Sequence, residues 1–262
     1  MIFRAYRLAQ ILSLDIVIGV VILLRFFCVQ FQVNPGWEVF VLLGVAVWLI
    51  YTFDHLRDAE NSPNSARERY VFHRKYRKAL IIVSTVVLLI SVPLIFFVPI
   101  TVLVGGILLS VFSIVYLLIQ RKLSRLLFKE LYVALVYSAG VLLVPIVLSG
   151  TFDLILFLLL FQLTFLNLII FSWFEKEEDL REGFRSIATQ MEADKLEKLM
   201  FTLVSLGLAL SLLSFEITHI YFIVGFTIYA SFIHLSKKFR RNYLYRAIGD
   251  GVFLLPILFE WL

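Results

Sequence analysis

A chain of 262 residues in which 61% are hydrophobic and only 16% are charged lacks the polar surface of a soluble globular domain. The composition therefore predicts an integral membrane protein. The net charge of +5 fits contact with anionic lipid headgroups and does not indicate nucleic acid binding, because the basic residues lie between apolar stretches. The only cysteine, Cys28, excludes an intramolecular disulfide and a cysteine-based metal cluster.

Nine apolar stretches follow one another along the chain. Each is close to the about 20 residues that a helix needs to cross the hydrocarbon core of a bilayer. The stretches cover roughly 9–29, 37–53, 79–97, 99–119, 130–149, 152–173, 199–215, 218–235 and 246–262. We therefore predict an all-α fold, a polytopic integral membrane protein with nine transmembrane helices in a single domain over 1–262.

The basic residues are confined to alternate connections between these stretches. If the nine helices alternate in direction, all of the 24 Lys and Arg residues except Arg25 lie on one side of the membrane. Short loops that carry Lys and Arg stay on the cytoplasmic side. The pattern predicts a multi-pass protein of the inner cell membrane, with a cytoplasmic N-terminus and the C-terminus on the opposite side.

Two of these basic connections are also long and acidic, near 54–78 and 175–198. The first follows the second apolar stretch, and the other follows the sixth, four stretches later. This spacing suggests two four-helix halves plus a ninth helix. Internal repeats in membrane proteins often place a ligand site at the interface between the halves.

Each of the two acidic connections begins with a pair of carboxylates four residues apart. Asp54 and Asp58 form the first pair, and Glu175 and Asp179 form the second. Residues four apart project from the same face of a helix. Paired carboxylates suit Mg²⁺, which prefers one or two of them together with water and substrate phosphates. The alternative is ordinary solvated charge at two helix ends, and the matched positions of the pairs favour the functional interpretation.

The second motif resembles a sequence of the UbiA-type intramembrane prenyltransferases. That family has nine helices and Asp-rich motifs at the cytoplasmic ends of helices 2 and 6. Glu175 and Asp179, followed by Gly183 and a turn that begins at Ser186, are similar to the family's Asp-x-x-x-Asp, its Gly and its Ser/Thr-rich turn. The Glu in place of Asp keeps the charge and lengthens the side chain by one methylene.

The first motif is similar to the family's Asn-Asp-x-x-Asp-x-x-x-Asp, but it is incomplete. Phe53 stands in place of the Asn, and Ser62 stands four residues after Asp58, where the family has a third Asp. The missing Asn and Asp side chains could contribute to metal binding, so their absence affects the function rather than the fold. The incomplete motif is therefore also consistent with a noncatalytic or chemically altered relative of the family.

The resemblance implies transfer of a prenyl chain from a polyisoprenyl diphosphate to an aromatic or lipid-like hydrophobic acceptor, with Mg²⁺ helping the diphosphate to leave. It assigns metal-binding and catalytic roles to Asp54, Asp58, Glu175 and Asp179. The residues to which it assigns diphosphate contacts are Arg67, Arg69, Tyr116, Arg121, Lys122 and Lys129.

Two other functions fit the same apolar architecture. One is a noncatalytic or altered relative that binds isoprenoid or quinone lipids, which the incomplete first motif keeps open. The other is a membrane transporter. The near absence of ionisable residues from the third, fourth and seventh stretches disfavours a path for ions or protons.

Two acidic residues lie inside apolar stretches, Asp15 in the first and Asp250 in the ninth. Ionisable groups in such stretches are costly and often functional. We expect either one to face the same cavity and to orient the acceptor or stabilise a cation. For Asp250 the alternative is capping, snorkelling or pairing with Arg246. We expect Asn167 to form an interhelical hydrogen bond.

Overall fold

The structure is a computed structural model that describes residues 2–125, 129–213, 216–235 and 244–259. Over these ranges the chain is helical and contains no β-strand, so the all-α prediction is confirmed. The α-helices are α1 (Ile2–Ile11), α2 (Leu14–Gln30), α3 (Trp37–Asn61), α4 (Glu68–Lys75), α5 (Arg77–Ser91), α6 (Ile100–Arg125), α7 (Lys129–Ser149), α8 (Leu154–Glu182), α9 (Ile187–Gln190), α10 (Ala193–Ser211), α11 (Ile217–His234), α12 (Leu244–Gly251) and α13 (Pro256–Phe259). Segments of 3₁₀ helix extend α5 over Val92–Phe97 and follow α12 over Val252–Leu254.

Among the described residues, six helices are long and apolar enough to cross a membrane. These candidate spans are Trp37–Asn61, Arg77–Phe97, Ile100–Ile119, Lys129–Ser149, Leu154–Glu182 and Ile217–His234. They give the protein a multi-pass architecture. The predicted count of nine transmembrane helices is not confirmed.

The other three predicted stretches form shorter, interrupted or charged helices. The first is broken at Ser13, whose φ of 57° lies in the left-handed region, and α2 continues beyond it for 17 residues. The seventh corresponds to α10, which carries four charged residues in its first two turns. The ninth is divided into α12, a 3₁₀ turn and α13, where Pro256 cannot donate a helical hydrogen bond.

Helix α8 is the centre of the bundle. Buried residues make up 61% of its most apolar window, against 17% for the spans that contain α5 and α6. It packs against α7, α10, α11 and α12. On the outer spans, by contrast, Ile90 is 71% exposed and Phe96 is 86% exposed, as expected for side chains that face lipid.

The second acidic motif lies in the last turns of α8, and Gly183 ends that helix. Gly183 has a φ of 75°, in the left-handed region that favours glycine. This turn lets the backbone N–H of Phe184 donate to the carbonyl of Asp179 at 2.9 Å. The short helix α9 then begins with a capping box formed by Ser186 and Thr189.

Gly183→Ala is expected to lower the free energy of unfolding by about 1 kcal/mol, because alanine disfavours a positive φ. No atom lies within 4 Å of the added Cβ, so the effect comes from the backbone alone. Gly140→Ala is the matched control, since it also adds a Cβ in open space but lies inside α7, where alanine favours the helix. Chemical denaturation in detergent measures both variants. Equal destabilisation by the two substitutions would contradict the role given to the turn.

Candidate active site

A cavity of about 810 Å³ lies between α2, α3, α5, α6, α7, α8 and α12. Its wall is mostly apolar, and no described residue of α10 or α11 contributes to it. The carboxylates of both acidic motifs line it: Asp54 and Asp58 from α3, and Glu175 and Asp179 from α8. The fold thus brings together two motifs that lie more than a hundred residues apart in the sequence.

The first motif, at the end of α3, has an oxygen that no protein group satisfies. Asp54 Oδ1 is buried without a hydrogen-bond partner among the described residues. Buried carboxylate oxygens normally have a partner, so this atom is available to a cation or a water molecule. Lys129, at the start of α7, lines the same cavity, and its charge acts on Asp54 and Asp58.

The second motif is held by Arg67, which lies between α3 and α4. The Nη2 of Arg67 donates to Asp179 Oδ1 at 2.8 Å, and its Nε lies 2.8 Å from Glu182 Oε2. Glu175 and Glu178 each place a carboxylate oxygen 3.6 Å from the same guanidinium. The Arg67 side chain is only 13% exposed. One mostly buried cation therefore balances part of the charge of four carboxylates.

A second arginine, Arg246 of α12, pairs with the other side of Glu175. Its Nη2 donates to Glu175 Oε1, and the hydroxyl of Tyr245 donates to the same oxygen at 3.1 Å. The Nε of Arg246 in turn donates to the Tyr245 hydroxyl at 3.4 Å. Glu175 thus accepts from two side chains of α12, which ties the end of α8 to that helix, and its other oxygen lies 3.6 Å from the Arg67 guanidinium.

The segment that carries Arg67 is anchored at both ends. Arg74 of α4 donates to the backbone carbonyls of Ser62 at 2.7 Å and Ser65 at 2.6 Å, and the Ser65 hydroxyl donates to Glu182. Burial lowers the pKa of Arg67, but the hydrogen bond and charge of Asp179 outweigh it and raise that pKa above its ordinary value. Arg67 therefore stays charged at any physiological pH.

The structure places four of the six residues predicted to contact a diphosphate at the wall of the cavity. Arg67, Arg69, Tyr116 and Lys129 line the cavity. The side chains of Arg121 and Lys122 lie outside the described residues, so their contacts stay predictions. Among the four that line the cavity, Arg67 is the one whose guanidinium forms ion pairs with the second motif.

Sequence reasoning missed the extent of the acidic face on α8. Glu175, Glu178, Asp179 and Glu182 follow the spacing of residues that share one helix face, and all four lie near Arg67. The spacing of these four residues in the sequence was the signal from which the acidic face could have been predicted. From the sequence, Arg246 was one of the basic residues of a cytoplasmic connection, and its one suggested partner was Asp250. No local pattern linked Arg246 to Glu175.

Two further buried groups support the site. The rings of His55 and His73 lie 5.2 Å apart and join α3 to α4, and burial lowers the pKa of His73 below its ordinary value. Glu130 of α7 accepts from the backbone N–H of Ile187 at 3.0 Å, which holds the start of α9. The histidines are scattered along the sequence, so nothing in their positions indicated that His55 contacts His73.

The fit to a divalent cation differs between the two motifs. Asp54 and Asp58 supply hard oxygen ligands with one oxygen unsatisfied, which suits Mg²⁺ bound together with phosphate oxygens and water. At the second motif, arginine side chains already contact Glu175 and Asp179. Among the residues that the structure describes, no group of three or more His, Cys, Asp or Glu side chains is arranged to hold a metal ion.

Comparison with known proteins identifies the family. No curated protein and no solved structure matches the chain. The model of the UbiA prenyltransferase family matches residues 20–248, which include both acidic motifs and most of the residues that line the cavity. The chain therefore belongs to the UbiA prenyltransferase family.

Proposed function

We propose that this protein transfers a prenyl group from a prenyl diphosphate to a hydrophobic acceptor inside the membrane. The observation that carries the proposal is the shared cavity, in which two acidic motifs and several basic residues meet a mostly apolar wall. A polar end suits a diphosphate, and an apolar wall suits an isoprenoid chain. Family membership supports a membrane prenyltransferase in general, and the substrates named here are our inference.

The diphosphate is proposed to bind beside the first motif. Lys129 and Arg69 line the cavity there and offer charged donors, and the Tyr116 hydroxyl adds a neutral one. Arg67, Arg121 and Lys122 remain proposed contacts by their positions in the sequence. Positive groups are needed because a diphosphate brings more negative charge than one cation neutralises.

Asp54 and Asp58 are proposed to hold Mg²⁺. A divalent cation bound there supplies positive charge to the oxygens of the departing diphosphate. For Glu175 and Asp179 the role of metal ligand stays a prediction, since both carboxylates are engaged by arginines. All four carboxylates remain our proposed catalytic site.

The prenyl chain is proposed to lie along α5 and α6. Leu88, Ile107 and Ile114 line the cavity and are each at least half exposed. Apolar side chains that line a cavity and remain exposed indicate an opening toward the surrounding lipid. An isoprenoid tail can therefore leave the cavity sideways while its diphosphate stays at the polar end.

The reaction breaks the bond between the allylic carbon and the diphosphate oxygen, and the diphosphate leaves with the electron pair. A nucleophilic atom of the acceptor forms the new bond to that carbon and loses a proton. The chain binds the diphosphate, orients the acceptor and keeps water from the allylic carbon. The basic connections place this site on the cytoplasmic face of the inner membrane, which is likewise our proposal.

The proposal predicts transfer that depends on Mg²⁺. Purified protein in lipid nanodiscs is supplied with geranyl, farnesyl or geranylgeranyl diphosphate and a lipid extract as the source of acceptor, and prenylated product is measured by mass spectrometry. Asp54→Asn is expected to lower the rate about a hundred-fold or more, because the site loses charge that binds the cation.

Glu177→Gln is the matched control for this experiment. Glu177 lies on α8 between the two carboxylates of the second motif, is 69% exposed and does not line the cavity. Its activity should equal that of the wild type. Transfer that persists without divalent metal, or that Asp54→Asn leaves unchanged, would contradict the proposal. Tight diphosphate binding without transfer would instead support a noncatalytic isoprenoid-binding protein.

A further inference from the structure

A second group of polar side chains lines the same cavity, deeper than the acidic motifs. We call it the inner polar cluster, and it consists of Asp15 of α2, Thr164 and Asn167 of α8, and Asp250 of α12. Asn167 lies about two helical turns before Glu175, so it is about 12 Å along α8 from the second motif. The proposed diphosphate site does not use any of these four residues.

Close packing of α2 against α12 brings the two aspartates together. A Cβ on Gly19 would lie 3.3 Å from the Cβ of Phe253, so α2 meets the 3₁₀ segment that directly follows α12. Asp15 lies one turn before Gly19, and Asp250 lies three residues before Phe253. Both aspartates line the same cavity, which places them on the same side of the contact.

A second close approach places Asn167 beside Asp250. A Cβ on Gly249 would lie 2.9 Å from Asn167 Oδ1, so α12 and α8 are also in tight contact. A Cβ there would come closer still to the Phe171 ring, so any residue other than glycine would displace that ring or the Asn167 amide. Asp250, the next residue along α12, lines the same cavity as Asn167.

Two polar atoms of this cluster have no partner. Asn167 Oδ1 and Thr164 Oγ1 are buried without a hydrogen-bond partner among the described residues, although their side chains line the cavity. Asn167 is 6% exposed and Thr164 is 4% exposed. The predicted interhelical hydrogen bond is thus not formed by Asn167 Oδ1. Buried polar atoms in native proteins are almost always paired, so these two indicate a missing ligand.

We propose that the inner polar cluster binds the polar head of the prenyl acceptor and selects a head that offers O–H or N–H donors and carries no negative charge. The inference rests on the proposed prenyl transfer. Carboxylates and an amide oxygen accept hydrogen bonds, so they fit hydroxyl or amino groups. An anionic head would face two aspartates, and the adjacent cation, Arg246, is engaged by Glu175.

Two probes of nearly equal shape test this selection. We compare 4-hydroxybenzamide, which is neutral, with 4-hydroxybenzoate, which is anionic, and measure equilibrium binding to the full-length protein in nanodiscs without any prenyl diphosphate. The wild type is expected to bind the amide about ten-fold or more tightly than the carboxylate. Equal affinities, a preference for the carboxylate, or no saturable binding of either probe would overturn the proposal.

The variant Asp15→Asn/Asp250→Asn replaces both carboxyl groups by amides and keeps the size of the side chains. It should bring the two affinities within about three-fold of each other. Asp194→Asn, an exposed substitution outside the cavity, should keep the wild-type ratio. If the double variant does not fold, the single variant Asp15→Asn is measured instead, and an unchanged ratio in either one contradicts the proposal.

Failure of this proposal can be told apart from failure of the proposed function. Farnesyl diphosphate binding is measured on the same variants in a separate experiment. Binding of the diphosphate without discrimination between the two probes refutes the acceptor proposal alone. Discrimination between the probes in a protein that binds no prenyl diphosphate refutes the prenyl transfer instead.

Discussion

Arg67→Ala is expected to lower the free energy of unfolding by about 3 kcal/mol, because it leaves several mostly buried carboxylates without their cation. Asp179 and Glu182 each lie 2.8 Å from the guanidinium, so both lose a close partner. Arg67→Lys keeps the charge but cannot reach several carboxylates at once, and we expect an intermediate loss. Chemical denaturation in detergent measures all three proteins.

The control for this substitution is Arg181→Ala on the same end of α8. Arg181 is 77% exposed and lies 3.9 Å from Glu177, which is the geometry of an ordinary surface ion pair. Such pairs contribute about 1 kcal/mol or less. If Arg67→Ala costs no more than Arg181→Ala, Arg67 does not hold the second motif together.

The second large effect concerns the pair formed by Glu175 and Arg246. Glu175→Gln and Arg246→Met should each destabilise the protein, and the double variant should be less destabilised than the sum of the two. We expect a coupling free energy of about 1–3 kcal/mol, since the partners are mostly buried and share Tyr245 in one network. A double-mutant cycle from chemical denaturation gives this value.

Glu192 and Lys195 provide the reference cycle. Their side chains are 74% and 66% exposed and lie 3.1 Å apart near the start of α10. A pair of this kind is screened by water, so its coupling should be a few tenths of a kcal/mol, about the size measured for exposed pairs. Equal coupling in the two cycles would mean that α12 is not fastened to α8 through Glu175.

The sequence predicted the parts of this protein that depend on periodicity and composition. Long apolar stretches predicted the helical membrane architecture, and the equal spacing in Asp54/Asp58 and Glu175/Asp179 predicted two acidic turns. Both pairs line one cavity. Such features are local, because helix spacing alone decides which side chains share a face.

The parts that the sequence did not predict depend on tertiary contacts. Nothing in the order of residues indicates that Arg67 contacts α8 or that Arg246 of α12 reaches Glu175, because each contact crosses between distant helices. The break at Ser13 was hidden for a different reason. Its left-handed backbone lies inside an apolar stretch, where neither glycine nor proline marks a turn.

The most direct test of the shared site is calorimetric binding of farnesyl diphosphate with and without Mg²⁺. Asp54 and Asp179 come from different helices, yet both line the cavity that we propose holds the diphosphate. Binding should require Mg²⁺, and Asp54→Asn and Asp179→Asn should each weaken it about ten-fold or more, while Glu177→Gln has no effect. Binding that needs no metal, or that either aspartate substitution leaves unchanged, would contradict a diphosphate site built from both motifs.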